Sequence, residues 1–283
     1  MLIWTARSEH DQDGLACLVL HSPEGEAWSV PASAEQLAAI VENPARAADW
    51  VRTAGSPAIV RRPAVHPLAA LSGMSMASGF IRTHLAKIPD VDPQPPVHPG
   101  WFFKGLAGGL ALDEGFLHVS KGAGALCEEA EVVLAYHVDA HGRPRYLGFT
   151  FGNDLTDLGS FRRDPSTLAY AKLCTGAVAS SLFLGLPPAE ITGRTVVTRA
   201  GDVAWSGSFR TGTAVNYYSV EALSAHLFSH PAIAVPGSTH YVFLGADKGS
   251  AHHGTALRPG NVVEIDFAAY GVRLRHSLRT WGF

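Results

Sequence analysis

The chain has 283 residues, 47% hydrophobic and 17% charged, and 22 basic against 25 acidic side chains leave a formal charge of −3. That balance describes a globular chain long enough for one large or two modest domains, and it argues against nucleic acid or an anionic membrane as the main partner. Three cysteines (Cys17, Cys127, Cys174), without CxxC or Cys/His zinc spacing, exclude a disulfide framework and a zinc-finger site.

In chain order, the opening MLIWTARSEHDQDG is charged almost at once, unlike a secretion leader. Apolar runs at 1–5 and 15–21 predict strands, the second closed by Ser22-Pro23-Glu24-Gly25. Ser33 with Gln36 makes a capping box, and Leu37, Ile40 and Val41 continue at helical spacing. Asn43-Pro44 ends that helix and opens another whose apolar face is Ala47, Trp50 and Val51. These features make 1–65 a small N-terminal α+β domain. Residues 66–100 hold Pro67, Pro89, Pro93, Pro95, Pro96 and Pro99 among Gly, Ser and His, which predicts little regular structure and a linker or lid.

From Trp101 onward strands dominate: 101–104, 116–120, 131–138, 146–152, 195–199, 203–209, 239–244, 262–267 and 272–276. Helices are expected near 166–174 and 220–229. Strands in runs with few helices argue a β-rich α+β domain over 101–283, not a doubly wound sheet. The apolar stretch 173–187 is too short and too rich in Gly and Ser to span a bilayer. A soluble cytoplasmic protein is the expectation.

The most informative segment is EEAEVVLAYHVDAHGRPRYLGFTFGNDLTD, residues 128–157. Residues 132–138 and 146–152 read as a hairpin around His141-Gly142. Glu129 and Glu131, two apart, project from one strand face. With that loop, residues whose numbers sum to 283 face each other, so Glu129 lies opposite Asp154. Three carboxylates converging at the open end of a hairpin repel unless a cation neutralises them, and hard ions such as Mg²⁺, Mn²⁺ or Ca²⁺ prefer such oxygen ligands. A solvated acidic sheet edge is the competing reading, and the strongly apolar strand after Glu131 favours carboxylates held at a core edge.

Other signals are weaker. Gly73-Met-Ser75-Met-Ala77 approximates a nucleophile elbow but lacks the second Gly and a preceding apolar strand. His226 and His230 have helical i, i+4 spacing but no HExxH glutamate. GADKGSAHHG at 245–254 lacks the phosphate-loop order and reads as a flexible loop near a site, with Lys248, His252 and His253 as candidate contacts.

Glu129-Ala-Glu131-Val-Val-Leu-Ala, followed by Leu147-Gly-Phe-Thr-Phe-Gly-Asn153-Asp154, resembles the E-x-E…N-D core of the fumarylacetoacetate hydrolase superfamily. The order continues to match. Pro99-Gly-Trp-Phe-Phe-Lys104 resembles its P-x-x-F-x-K strand, Tyr170-Ala-Lys172 its S/A-K segment, and Arg258-Pro-Gly-Asn-Val-Val-Glu-Ile its P-G-D run. Phe243-Leu-Gly245-Ala246 stands at its G-T substrate loop, and Gly271-Val-Arg-Leu-Arg resembles its closing motif. Stretches 142–149, Val215-Asn216 and 225–228 are similar to the branch of 2-keto-3-deoxy-arabonate dehydratase-like proteins. From that branch the chain departs at Gly73-Met-Ser-Met-Ala77-Ser-Gly79, which has no loop histidine, at Asp154 in place of Glu, and at Ala246 in place of Thr.

The resemblance implies a β-roll catalytic domain, a Mg²⁺-type ion on Glu129, Glu131 and Asp154, and a homodimer. It implies a small 2-oxo acid or β-dioxo acid as substrate, with chemistry passing through an enolate. Lys172 is then a second positive group at the oxo oxygen or a proton carrier, and Lys104 a partner of a ligating carboxylate. His84 is the candidate lid base and Arg82 a substrate-carboxylate contact, with Gly245, Ala246 and Lys248 lining the substrate. Lyase chemistry, dehydration of a 3-deoxy-2-oxo sugar acid or a related hydroxylated 2-oxo acid, is the first expectation. Hydrolytic C–C cleavage of a β-dioxo acid is the second, and a catalytically silent binding protein the third.

Overall fold

The computed structural model describes residues 74–88 and 98–282, together with 4–10, 16–21, 26–31, 38, 53 and 56–57 of the N-terminal part. Its body is an 11-stranded mixed sheet in the order Ser56–Pro57, Ala27–Pro31, Ala16–His21, Trp4–His10, Ser181–Leu184, Pro144–Asn153, Ala130–Val138, Thr239–Phe243, Ser75–Ile81 and Gly100–Leu106. The short Ala177–Val178 strand also pairs with Pro144–Asn153. A second, five-stranded sheet runs Asp202–Thr211, Ile191–Arg199, Val262–Phe267, Val272–Thr280 and Glu114–Val119. Among the described residues from 74 onward, the α-helices are short: Leu158–Arg163, Leu168–Ala171 and Val220–Phe228. The architecture is a β-rich α+β fold.

The Ala130–Val138 strand is buried along its whole length because both faces of the large sheet are covered. Val132, Leu134, Tyr136 and Val138 face a core shared with Val263, Ile265, Phe267 and Leu274 of the five-stranded sheet. Val133 and Ala135 face a second core with Phe102, Tyr241 and Phe243. A strand covered on both sides reads as a continuous apolar run, which is what residues 132–136 show.

All nine strands expected after residue 100 are present, and Val220–Phe228 takes up the expected second helix. The N-terminal strands form at Trp4–His10 and Ala16–His21, and the first pairs with Ser181–Leu184, so it extends the large sheet. The helices expected after Ser33 and Asn43 lie almost wholly outside the described residues, as does much of 66–100.

One expectation needs correction. Within 66–100, Ser75–Ile81 is a strand inside the large sheet, parallel to Thr239–Phe243 and antiparallel to Gly100–Leu106. Ser75, Ala77, Ser78 and Gly79 carry little intrinsic strand preference, and pairing on both sides supplies what propensity does not. Gly79 is required there, since an added Cβ would lie 2.6 Å from the Phe102 ring and 2.7 Å from Phe243. Ser75 is therefore a buried strand residue, its hydroxyl 2.7 Å from that of Thr239, and not the tip of an elbow.

Candidate active site

The site is built at the open end of the hairpin, and two irregularities set its register. The loop has three residues, with Asp139 N–H bonded to Arg143 O and Gly142 in the left-handed region at φ 76°. Next to that loop, paired residues sum to 282, as in Tyr146 opposite Tyr136. A β-bulge at Leu147 then adds one residue, and from Gly148 onward pairs sum to 283. The bulge turns Leu147 toward one core and Phe149 toward the other, and Gly148 fits because a Cβ there would lie 2.4 Å from Phe183 O. The 283 register brings Asp154 N–H onto Glu129 O at 2.9 Å and Gly152 opposite Glu131. The expected facing of Glu129 and Asp154 is present, through a longer loop plus a bulge.

Glu129, Glu131 and Asp154 each place a carboxylate oxygen within 4.8 Å of the others. Asp154 and Glu131 are buried, and the Glu129 side chain keeps 12% exposure. Lysines meet them from three directions. Lys172, at the end of the Leu168–Ala171 helix, sits 2.5 Å from Glu129 Oε2, bonds Asp154 Oδ2 as well, and packs over the Phe102 ring. Lys104 is fully buried behind them, 2.8 Å from Asp154 Oδ1 and bonded to Leu155 O at 2.6 Å. Lys87, on the short 3-10 turn Leu85–Lys87, reaches Glu129 Oε1 at 2.5 Å. Thr156 donates to Glu129 Oε2 at 2.8 Å, and Asn153 Oδ1 accepts from Glu129 N–H.

Burial alone would raise the Glu129 carboxyl, but the charges of Lys172 and Lys87 outweigh it and hold Glu129 well below the usual range. Burial opposes the charge on Lys172 too, yet Asp154, Glu129 and Glu131 hold that ammonium firmly protonated. Glu131 differs. Burial and then the charges of Asp154 and Glu129 push its carboxyl well above the usual range, and its hydrogen-bond partner among the described residues is the Gly245 N–H at 2.6 Å. Three converging carboxylates, of which Glu131 has no ion pair of its own among the described residues, fit a divalent metal ion.

A cavity of about 510 Å³ opens onto Glu129, Glu131 and Lys172. Of the other residues singled out from sequence, Arg82, His84, Gly245, Ala246 and Lys248 line it, whereas Lys104 and Asp154 stand behind its wall. Arg82 is held at φ 56°, a left-handed conformation rare for a residue with a side chain. His84 is buried with both ring nitrogens engaged: Nδ1 accepts from Ala86 N–H at 3.1 Å and Nε2 lies 3.0 Å from Arg210 O. Burial lowers its pKa, so the ring is neutral and caps the turn that carries Lys87. Gly245, at φ 108°, has no room for a Cβ, which would lie 2.0 Å from Thr83 Oγ1.

Sequence reasoning missed Lys87, Thr156 and Glu128 as parts of the site. Lys87 is a single lysine in an irregular stretch, 42 positions before its partner, and nothing local marks it. Glu128 was legible only as a neighbour of the E-x-E pair. It is buried and accepts from Ser250 N–H at 2.8 Å and Ser250 Oγ at 2.6 Å, which ties the Ser250–His253 turn to the site. His252 of that turn lines the cavity, with Nδ1 3.7 Å from Cys127 Sγ. Burial, then the charge of Lys87, brings its pKa down to about 4. Burial also raises the Cys127 thiol, which stays protonated. The His226 and His230 rings meet edge to face, and neither belongs to a metal-competent cluster among the described residues.

No protein-family model and no curated protein sequence matches the chain. Solved structures do. The hexagonal crystal form of 2-keto-3-deoxyarabinonate dehydratase is similar with a TM-score of 0.71 at 14% identity, covering 99% of this chain and 100% of that one. The 2-keto-3-deoxy-D-arabinonate dehydratase complexed with magnesium and 2,5-dioxopentanoate gives 0.66 at 14% identity over the same shares. A 5-carboxymethyl-2-hydroxymuconate delta-isomerase from Mycobacterium smegmatis gives 0.59 at 17% identity, covering 99% of this chain and 100% of that one. The resemblance read from the motifs thus holds in three dimensions, and the chain has the fumarylacetoacetate hydrolase-like fold.

Proposed function

We propose that this chain is a divalent-metal-dependent enzyme that acts on a 2-oxo acid through an enolate, and that its reaction is a lyase reaction. The carrying observation is the cluster of Glu129, Glu131 and Asp154 within 4.8 Å, ringed by lysines and opening onto one cavity. The fold it shares with a magnesium-complexed dehydratase supports the reading. A divalent ion there supplies a Lewis acid for a 2-oxo carboxylate and for charge growing on the oxo oxygen.

The chain's own residues divide the remaining work. Lys172, held charged beside Glu129 and Asp154, offers N–H donors to the same oxygen. Lys104 fixes Asp154 from behind, and Lys87 adds a cation from the lid side. Arg82 and Lys248, exposed at the cavity, suit the substrate carboxylate, while Gly245 and Ala246 shape the wall. His84 acts as a positioning residue. His252, neutral and lining the cavity, is the imidazole proposed for proton exchange, with its ring also meeting the Gly249 backbone and Cys127 Sγ. In the dehydration a proton leaves carbon 3 and hydroxide leaves carbon 4 of a 4-hydroxy-2-oxo acid, giving a 2-oxo-3-enoate and water.

Hydrolysis of a β-dioxo acid stands second, because it requires a lid base to activate water and both nitrogens of His84 are engaged. The test combines binding and turnover. Mn²⁺ titration should show one site, oxalate should bind only with the ion, and 4-hydroxy-2-oxo acids should lose water without fragmenting. Glu131→Ala should weaken metal binding by at least about a thousandfold. Metal affinity unchanged in that variant overturns the site, and two acid products from an acylpyruvate favour hydrolysis.

A further inference from the structure

Beyond the 2-oxo acid head, the walls of the cavity have a chemistry of their own. Leu158 and Phe161, three apart on the Leu158–Arg163 helix, form one side with Leu168. Leu85 and Ile88 of the turn that carries Lys87 also line the cavity, with Phe80 and Ile81 at the end of their strand. Leu158, Phe161, Leu168 and Ile88 are half-buried and Leu85 is exposed, so apolar surface faces water in the cavity.

Apart from His252, assigned above to proton exchange, the neutral polar groups among these walls have little left to offer. Thr83 Oγ1 donates to Leu244 O at 2.5 Å, and Thr156 Oγ1 donates to Glu129. His84 uses both ring nitrogens, and Gly245 N–H is bonded to Glu131. With Arg82 and Lys248 assigned to the substrate carboxylate, a sugar-acid chain lying against these apolar side chains would exchange water's hydrogen bonds for methyl groups and a ring, which costs affinity for every hydroxyl left unpaired. A hydrocarbon chain would instead cover the half-buried side chains, and each added methylene is worth roughly tenfold or more in a fitted apolar pocket.

We propose that the substrate carries an apolar carbon chain beyond its 2-oxo acid head, in contrast to a polyhydroxylated one; this rests on the 2-oxo acid reading above. The leaving hydroxyl at carbon 4 stays next to the lysine-ringed cluster, and the carbons after it lie against Leu158, Phe161, Leu168, Leu85 and Ile88.

The experiment compares four ligands on the Mn²⁺-loaded full chain by calorimetry: oxalate, pyruvate, 2-oxooctanoate and 2-keto-3-deoxygluconate. Expected is 2-oxooctanoate binding at least about tenfold tighter than pyruvate, with the polyhydroxylated acid no tighter than pyruvate. Phe161→Asp should erase the 2-oxooctanoate advantage while oxalate affinity stays within about twofold. Oxalate binding in that variant also shows that the fold is intact. If the polyhydroxylated acid binds tighter than 2-oxooctanoate, or 2-oxooctanoate matches pyruvate, the apolar-chain assignment is overturned and the 2-oxo acid reading stands. If neither oxalate nor pyruvate binds, the 2-oxo acid reading itself falls and takes the assignment with it.

Discussion

The two ends of the hairpin formed by Ala130–Val138 and Pro144–Asn153 use the same kinds of side chain for opposite purposes. At the loop end, Asp139 pairs with Arg143 four residues on, and the Arg143 side chain is 64% exposed. Water solvates both partners, and backbone N–H groups do most to lower the Asp139 carboxyl. At the open end, three acidic side chains and three lysines converge where Lys104 and Asp154 are fully buried. Burying charges costs several kcal/mol per ion unless each is matched, so stability alone gives no reason to gather six of them. The loop end shows what a charge pair does when it serves only a turn. The open end shows charges concentrated at a cavity wall, as expected of a site built for an anionic substrate and a cation.

The sharpest way to break that contrast is to remove one buried cation. Lys104→Met keeps the apolar stem and strips the ammonium from Asp154, leaving Leu155 O without its donor. A loss of about 3–5 kcal/mol in metal-free stability is expected by urea denaturation, because the buried Asp154 then keeps only Lys172, which it shares with Glu129. Added Mg²⁺ should recover part of it, since a divalent ion brings back positive charge. A loss under about 1 kcal/mol, with no response to Mg²⁺, would mean that the cluster is not electrostatically coupled.

Gly245→Ala probes the same end through the backbone. The new methyl would meet Thr83 Oγ1, and a φ of 108° is unfavourable for alanine. The peptide would have to move, and its N–H would leave Glu131 Oε2. The expected cost is about 1–3 kcal/mol, with a drop in Mn²⁺ affinity of about tenfold or more read in the same samples. Thr83→Ser retains the clash and Thr83→Ala relieves it, so partial rescue of Gly245→Ala by Thr83→Ala would locate the effect. Unchanged metal affinity in Gly245→Ala would detach this loop from the cluster.

Much of the open end could be read from sequence because its ligands lie close together in one hairpin, where strand alternation and loop length fix their facing. Glu129, Glu131 and Asp154 need no tertiary information beyond that register. Even so, the register was reached by a shorter loop than the real one, and the bulge at Leu147 supplied the missing residue. Ser75–Ile81 was not legible because its strand character comes from Thr239–Phe243 and Gly100–Leu106 on either side, with paired residues 164 positions away on one side and 19 or more on the other, and not from its own small side chains. Lys87 was hidden for the same reason: a long side chain crosses from an irregular segment to a carboxylate that no spacing rule connects to it. His84 was legible as a residue at the site, but its hydrogen bonds to Ala86 and Arg210, which tie up the ring, depend on the folded chain.

The loop end supplies the control with the smallest expected effect. Arg143→Ala removes the guanidinium that meets Asp139 Oδ2 at 2.8 Å and nothing else that is buried. The thermal midpoint should stay within about 1 °C, because exposed pairs gain little over solvation and the Asp139 carboxylate keeps its bonds to the His141 and Arg143 backbone N–H groups. Asp139→Ala should cost more than Arg143→Ala, since it removes the acceptor that closes the three-residue loop on which the 282 pairing depends. Should the two variants be equal, the turn would be held by Gly142 and the strand ladder alone. Should Arg143→Ala alter Mn²⁺ affinity, the bulge at Leu147 would not isolate the open end from the loop, and the two ends would have to be treated as one unit.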